Sequence, residues 1–215
     1  MNRRHLHCFP LAHPPAAPRI LALAVCALVL SGCISLLPKT KPSQLYSFVP
    51  APAVARATLA SPGAVAVFRT NGSFQSESAD DRLLTITNGK AAYIAETRWV
   101  APAAVLFDQA VAQAFDASPV RLIARGQQGR PAYGLRIDVR NFETHYDAGE
   151  KAAPTVVVRL HAALNKADQT VVGEQIFEAQ VTAGDNRVGA IVSAYDKAMA
   201  EAIKKLVAWT EAGAV

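Results

Sequence analysis

Cysteine is scarce in this chain, and its positions exclude two kinds of stabilisation. The 215 residues contain three cysteines, Cys8, Cys26 and Cys33, and none follows Cys33. The roughly 180 residues after it, enough for one domain, can therefore form neither a disulfide bond nor a cysteine-based metal site. A domain built from them has to be stabilised by its hydrophobic core alone.

Recognisable catalytic motifs are also missing. The sequence has no Gly-x-Ser-x-Gly nucleophile elbow, no paired metal-ligand histidine motif and no glycine-rich phosphate loop. After Cys33 there are two histidines. His145 lies near Asp147 without a nucleophile or a third ligand, and His161 is expected to be a solvated or hydrogen-bonded strand residue. We read Asp80-Asp81 as a solvated loop rather than a cation site. We therefore predict that the protein is not an enzyme, with no catalytic residues, no metal site and no cofactor.

A strong excess of one charge is absent as well. The chain has 22 Lys and Arg residues against 17 Asp and Glu residues, a formal net charge of +5 at pH 7. Three of the basic residues, Arg3, Arg4 and Arg19, lie in the first 32 positions with no acidic residue among them, so the rest of the chain is closer to neutral. No cluster of Lys and Arg remains there to indicate a nucleic-acid partner.

What is present is the tetrapeptide Leu30-Ser31-Gly32-Cys33, which ends the apolar segment 20–30. A basic leader, an apolar segment too short to span a bilayer, small residues and a cysteine are typical of a bacterial lipoprotein signal peptide. We predict that residues 1–32 are removed and that the Cys33 thiol carries diacylglycerol. An ordinary cleaved leader and a permanent membrane anchor are the less favoured interpretations. Ile34 stands where an Asp would favour inner-membrane retention, so the expected location is the outer membrane, facing the periplasm.

The remaining sequence divides into a lipidated tether, 33–44, and one domain, 45–215. Alternating apolar residues predict strands, and apolar residues at i, i+3, i+4 and i+7 predict two helices. Asn88-Gly89 predicts a hairpin, and Asp185-Asn186 is expected to cap the second helix. The predicted fold is α+β, a mainly antiparallel sheet covered on one side by two helices. The predicted strands are 45–49, 64–68, 83–87, 91–95, 133–142, 155–164 and 170–182, the helices 102–116 and 188–211, and a Pro- and Ala-rich loop 50–63.

Several short motifs follow one another in a recognisable order. They are Leu45-Tyr46-Ser47-Phe48, Asp81-Arg82-Leu83-Leu84, Tyr93, Arg98-Trp99 before Pro102, the strand from Leu135 to Phe142-Glu143, and the last helix with Trp209. Together they resemble the ABC-type transport auxiliary lipoprotein family, which includes the lipoprotein of the paraquat-inducible transport system. The resemblance covers essentially the whole chain after Cys33. Ala92 departs from it, because a second aromatic residue is expected before Tyr93.

The resemblance implies a non-enzymatic lipoprotein subunit of an MCE-type ABC transport system, moving phospholipid or other hydrophobic molecules between the two membranes. The implied partners are the membrane, through the lipid anchor, and an MCE-domain subunit, and a homo-oligomer is a family-level expectation. The alternative function is a structural lipoprotein that assists the assembly or plugging of an outer-membrane β-barrel. Two roles stay open for Arg98 and Trp99. Trp99 can pack under the helix start while Arg98 pairs a carboxylate, or both can belong to a partner-binding surface, where Trp and Arg are over-represented.

Overall fold

The computed structural model describes residues 42–48, 64–129 and 131–214. The predicted signal peptide with Leu30-Ser31-Gly32, the lipidation site Cys33, most of the tether and the loop 50–63 lie outside the described residues and stay predictions. In the part of the chain that the structure describes, no helix combines the length and the apolar character needed to cross a membrane.

The described chain contains eight strands and two α-helices, with one short 3-10 turn at Ser76–Ser78 before β3. Their order confirms the predicted sequence of strands, helix, long strands and helix, with one short strand added. The elements are β1 (Gln44–Tyr46), β2 (Ala66–Arg69), β3 (Arg82–Thr87), β4 (Lys90–Trp99), α1 (Ala103–Phe115), β5 (Arg121–Ile123), β6 (Tyr133–His145), β7 (Thr155–Lys166), β8 (Val171–Thr182) and α2 (Val188–Gly213).

All eight strands form one sheet around β6. On one side of β6, the strands β7 and β8 continue a long antiparallel meander. The other edge of β6 is shared, because its first residues pair in parallel with β2 and its last residues pair in parallel with β3. Beyond them lie β5 next to β2, and β4 and then β1 next to β3. The long pairings are antiparallel and the parallel ones are short, which confirms a mainly antiparallel sheet.

Both helices cover the same face of this sheet. Phe142 of β6 lies 4.7 Å, between ring centroids, from Tyr195 of α2. Its ring is also 5.6 Å from Phe74, which in turn lies 5.9 Å from Phe107 of α1. The apolar stripe predicted for the last helix is buried against the sheet, with Trp209 partly buried at its end. The stripe residues that are buried are Ile191, Tyr195, Ala198, Met199, Ala202 and Leu206. The predicted α+β fold is therefore confirmed.

An irregularity in β6 decides which residues face the core. The register with β7 shifts between Val139 and Asn141, so both Val139 and Phe142 are buried on the helix-covered side. Such a bulge inserts one extra residue, so the residues that follow it exchange faces relative to a regular strand. Asp138 and Glu143 consequently lie on the opposite face, although both are buried.

The predicted cap of α2 was wrong, and strand β5 was missed. Asp185-Asn186 does not cap α2, since Arg187 is the residue at the helix start and no side chain caps it. Instead Asp185 accepts a hydrogen bond from Arg187 Nε at 2.8 Å, and Asn186 donates to the carbonyl of Glu150 at 2.7 Å. Strand β5 was not predicted because three residues are too few for a periodic pattern.

Candidate functional site

Trp99, the second residue of the Arg98-Trp99 signature, lies in the core. It ends β4, and 2% of its surface is exposed. Its ring centroid is 5.2 Å from that of Phe48 and 5.2 Å from that of Tyr195, both edge-to-face. Each such pair contributes about 0.5–1.5 kcal/mol beyond the buried area. Because its indole Nε1 has no hydrogen-bond partner among the described residues, Trp99 acts through apolar packing.

Arg98 lies at the surface and holds the loop that precedes β3. Its guanidinium donates to both carboxylate oxygens of Asp81 at 2.8 Å, and its side chain is 44% exposed. The same loop serves the start of α1, since the Ala103 and Ala104 amides donate to the carbonyls of Asp80 and Ala79 at 3.0 and 3.1 Å. These amides have no partner within the helix. The Arg98-Trp99 signature therefore links the end of β4, through the loop before β3, to the start of α1.

An apolar groove of about 390 Å³ lies between α1 and α2. Its volume falls in the range of about 300–1,000 Å³ that is usual for ligand pockets. The groove exists because alanine occupies much of the facing surfaces, where larger side chains would fill the space. Lys204 and Glu211 add one charge of each sign. The remaining lining residues are Phe48, Ala110, Gln113, Ala114, Ala117, Ser118, Met199, Ala200, Ile203, Val207 and Ala208.

On the sheet face opposite the helices, Glu143 is buried in a hydrogen-bond network. Its carboxylate, in a residue that is 5% exposed, accepts from Gln75 Nε2 at 2.7 Å, Asn141 Nδ2 at 2.8 Å and His145 Nε2 at 2.9 Å. Burial alone would raise the pKa of Glu143, but the hydrogen bonds from Gln75, His145 and Asn141 outweigh it and lower the pKa. Asp147 makes only a longer contact with this network, 3.8 Å from its Oδ1 to His145 Nδ1. The network ties the loop before β3 to β6.

Asp138 forms a second network on the same face. It accepts from the Ser73 amide at 2.8 Å and from Ser73 Oγ at 2.9 Å, and Arg136 Nε lies 3.1 Å away. Burial opposes ionisation, but these hydrogen bonds and the Arg136 charge lower the pKa of Asp138. His161 lies between Asp138, at 3.5 Å, and Glu174, at 3.3 Å. Among the described residues, no group of three or more His, Cys, Asp or Glu side chains is placed to hold a metal ion.

The groove and the two networks were not predicted from the sequence. A signal for the groove exists, because Ala110, Ala114 and Ala117 recur every three or four residues along α1 and the turn after it. Nothing comparable marks the Glu143 network, since Gln75 and Glu143 are 68 positions apart. Such a contact becomes visible only when the sheet is assembled.

A model of the family described as "ABC-type transport auxiliary lipoprotein component" matches residues 79–207. Two crystal structures share the fold. A protein from Xanthomonas campestris, assigned to the family model DUF330, is 24% identical with a TM-score of 0.65, covering 79% of this chain and 96% of its own. An uncharacterised protein is 10% identical with a TM-score of 0.62, covering 79% of this chain and 99% of its own. None of the curated proteins compared with this chain matches it.

Proposed function

Because the chain belongs to the ABC-type transport auxiliary lipoprotein component family, we propose that it is a non-enzymatic lipoprotein subunit of an MCE-type ABC transport system. In this proposal the system moves phospholipid or other hydrophobic molecules between the two membranes, and this subunit works at the outer membrane. The observation that carries the proposal is the family match over residues 79–207, which contains Arg98-Trp99, all of α1 and most of α2.

The anchor is the second part of the proposal. Acylated Cys33 would hold the domain at the membrane surface, since about ten residues of tether reach roughly 30 Å when extended. A single acyl chain binds a membrane weakly, so stable anchoring requires more than one chain. We expect Cys33→Ser to lose incorporation of labelled fatty acid and to leave the membrane fraction, whereas Cys26→Ser, the matched control, keeps both. Equal labelling of the two variants would contradict the assignment of Cys33.

The partner is tested by a pull-down of the tagged protein from its native envelope in detergent, with mass spectrometry of the bound proteins and lipids. Recovery of an MCE-domain subunit supports the proposal. Recovery of a β-barrel protein without any MCE-domain protein would overturn it in favour of an assembly role. Density-gradient separation of the two membranes tests the location, and Ile34→Asp should move the protein from the outer to the inner membrane fraction.

Arg98 is the part of the signature that can contact a partner, because Trp99 is buried and Arg98 is 44% exposed. We expect Arg98→Gln to reduce recovery of the MCE-domain subunit. The matched control is Arg159→Gln, since Arg159 is also 44% exposed and forms an ion pair with a carboxylate, that of Glu178. An equal reduction in both variants would show that surface charge, and not the Arg98 position, matters.

A further inference from the structure

Arg69 is a buried cation whose hydrogen-bonding capacity is only partly used. It is the last residue of β2, and 6% of its surface is exposed. A guanidinium has five N–H donors. Those of Arg69 reach the carbonyls of Thr70 at 3.1 Å and Ile137 at 3.4 Å, and Asp108 Oδ1 at 3.5 Å. The contacts to Ile137 and Asp108 are longer than the ordinary range of about 2.7–3.2 Å, and Nε has no partner among the described residues. A buried charge with unused donors is costly.

A second arginine shares the same carboxylate. Arg125, in the turn after β5, forms an ion pair with Asp108 of α1, the residue that Arg69 also approaches. Two guanidinium groups on one carboxylate leave an excess of one positive charge. Burial and the nearby Arg125 lower the pKa of Arg69 to about 10, and Asp138 opposes this effect. Asp138 does not remove the excess, because it is itself paired with Arg136 at 3.1 Å.

Open space adjoins this trio of charged side chains. Arg69, Asp108 and Arg125 line two cavities, of about 240 Å³ and about 90 Å³. A single water needs only roughly 10–15 Å³, so the larger cavity has room for a polyatomic ion. The smaller cavity adds the polar side chain of Ser73. The larger one has an apolar wall formed by Val111, Ala112, Leu122 and Ala124.

We propose that Arg69 and Arg125 form a binding site for a phosphate group, with Asp108 holding the two guanidinium groups in position. Planar guanidinium groups match phosphate oxygens in paired hydrogen bonds. A phosphate would accept hydrogen bonds from the guanidinium group of Arg125, whose side chain is 40% exposed, and would offset the repulsion between the two arginines. The apolar wall suits the hydrocarbon part of a phosphate ester, so the phosphate can belong to a phospholipid headgroup or be free in solution. This site is separate from the groove between the helices and does not depend on the proposed transport function.

The test is calorimetric titration of the protein, purified in detergent and phosphate-free buffer, with two probes. The probes are inorganic phosphate and dihexanoyl phosphatidylglycerol, a soluble short-chain phospholipid. We expect Arg125→Gln to weaken binding at least about tenfold, because it removes charge-assisted hydrogen bonds. Asp108→Asn should strengthen binding, since the amide oxygen can still accept from a guanidinium group while the negative charge that repels phosphate is removed. Arg159→Gln is the control, because Arg159 is ion-paired and about as exposed as Arg125, 44% against 40%.

Either probe can support the site, and their relative affinity identifies the source of the phosphate. Tighter binding of inorganic phosphate indicates a free anion, and tighter binding of the phospholipid indicates a headgroup. Failure of both probes to bind the unaltered protein would overturn the proposal. So would binding that is unchanged in Arg125→Gln, or weakened equally in Arg159→Gln. Arg125→Lys keeps the charge without the planar fork and should retain weaker binding, which separates loss of the site from loss of the fold.

Discussion

Replacing Trp99 by alanine should destabilise the domain far more than replacing its neighbour Arg98 by glutamine. Trp99→Ala removes a buried ring that contacts Phe48, Phe142 and Tyr195. Truncation of a buried Trp costs about 3–5 kcal/mol, and the two edge-to-face pairs at 5.2 Å favour the upper half of that range. Arg98→Gln breaks one half-exposed ion pair, and such pairs contribute about 0–1 kcal/mol.

The assay is urea unfolding at 25 °C, followed by far-ultraviolet circular dichroism of the protein in detergent. With a urea dependence of about 1–3 kcal/mol per molar, a loss of 4 kcal/mol in the free energy of unfolding lowers the midpoint by at least about 1 M. Arg98→Gln should shift it by less than half as much. Trp99→Phe serves as an intermediate, because it keeps part of the ring packing. A Trp99→Ala protein within about 1 kcal/mol of the unaltered one would refute the assignment of this residue to the core.

Three further predictions concern Gly72, Glu143 and Tyr195. Gly72→Ala would place a Cβ in overlap with the carbonyl oxygen of Ile137. We expect the free energy of unfolding, measured in urea, to fall by about 1–3 kcal/mol. Gly189→Ala is the control, because open space surrounds Gly189, and it should not destabilise the domain. The folded-state pKa of Glu143 is lowered. The ionised carboxylate therefore stabilises the fold fully above the unfolded-state pKa, and this stabilisation is lost as the pH falls through the folded-state pKa. The urea midpoint of Glu143→Gln should fall less steeply in acid than that of the unaltered protein. Burial raises the pKa of Tyr195. The stabilisation of the fold by the neutral Tyr195 side chain is therefore complete below the unfolded-state pKa of about 10 and is lost as the pH rises above that value. Tyr195→Phe should lower the urea midpoint at neutral pH, but the midpoint of this variant should decline less in alkali.

The long elements could be predicted from the sequence because their patterns repeat over many residues. β6, β7, β8 and α2 each contain at least twelve residues, enough to separate alternation from helical spacing. The hairpin between β3 and β4 has a local signal of its own. Asn88 and Gly89 adopt φ values of 49° and 75°, and a two-residue turn with positive φ at both positions favours this residue pair.

The rest depended on contacts between distant parts of the chain. β4 was predicted to end at Ala95, but it continues to Trp99 through Glu96, whose φ of 55° interrupts any alternation. The parallel pairings that share one edge of β6 join segments with no common pattern. The roles of Arg98 and Trp99 stayed open for the same reason, since only the assembled core shows which of the two side chains is enclosed.

The attachment of β1 has a mechanical consequence. Pro42 lies just before β1, which pairs with β4 over only three residues. Just beyond it, the ring of Phe48 is embedded against Trp99 and Phe142. A force that pulls on Pro42 therefore has to break the pairing of β1 with β4 first, and only then has to extract the Phe48 ring from the core. β1 can detach under a modest force while Phe48 still holds, so this end of the domain can lengthen under load without disrupting the core.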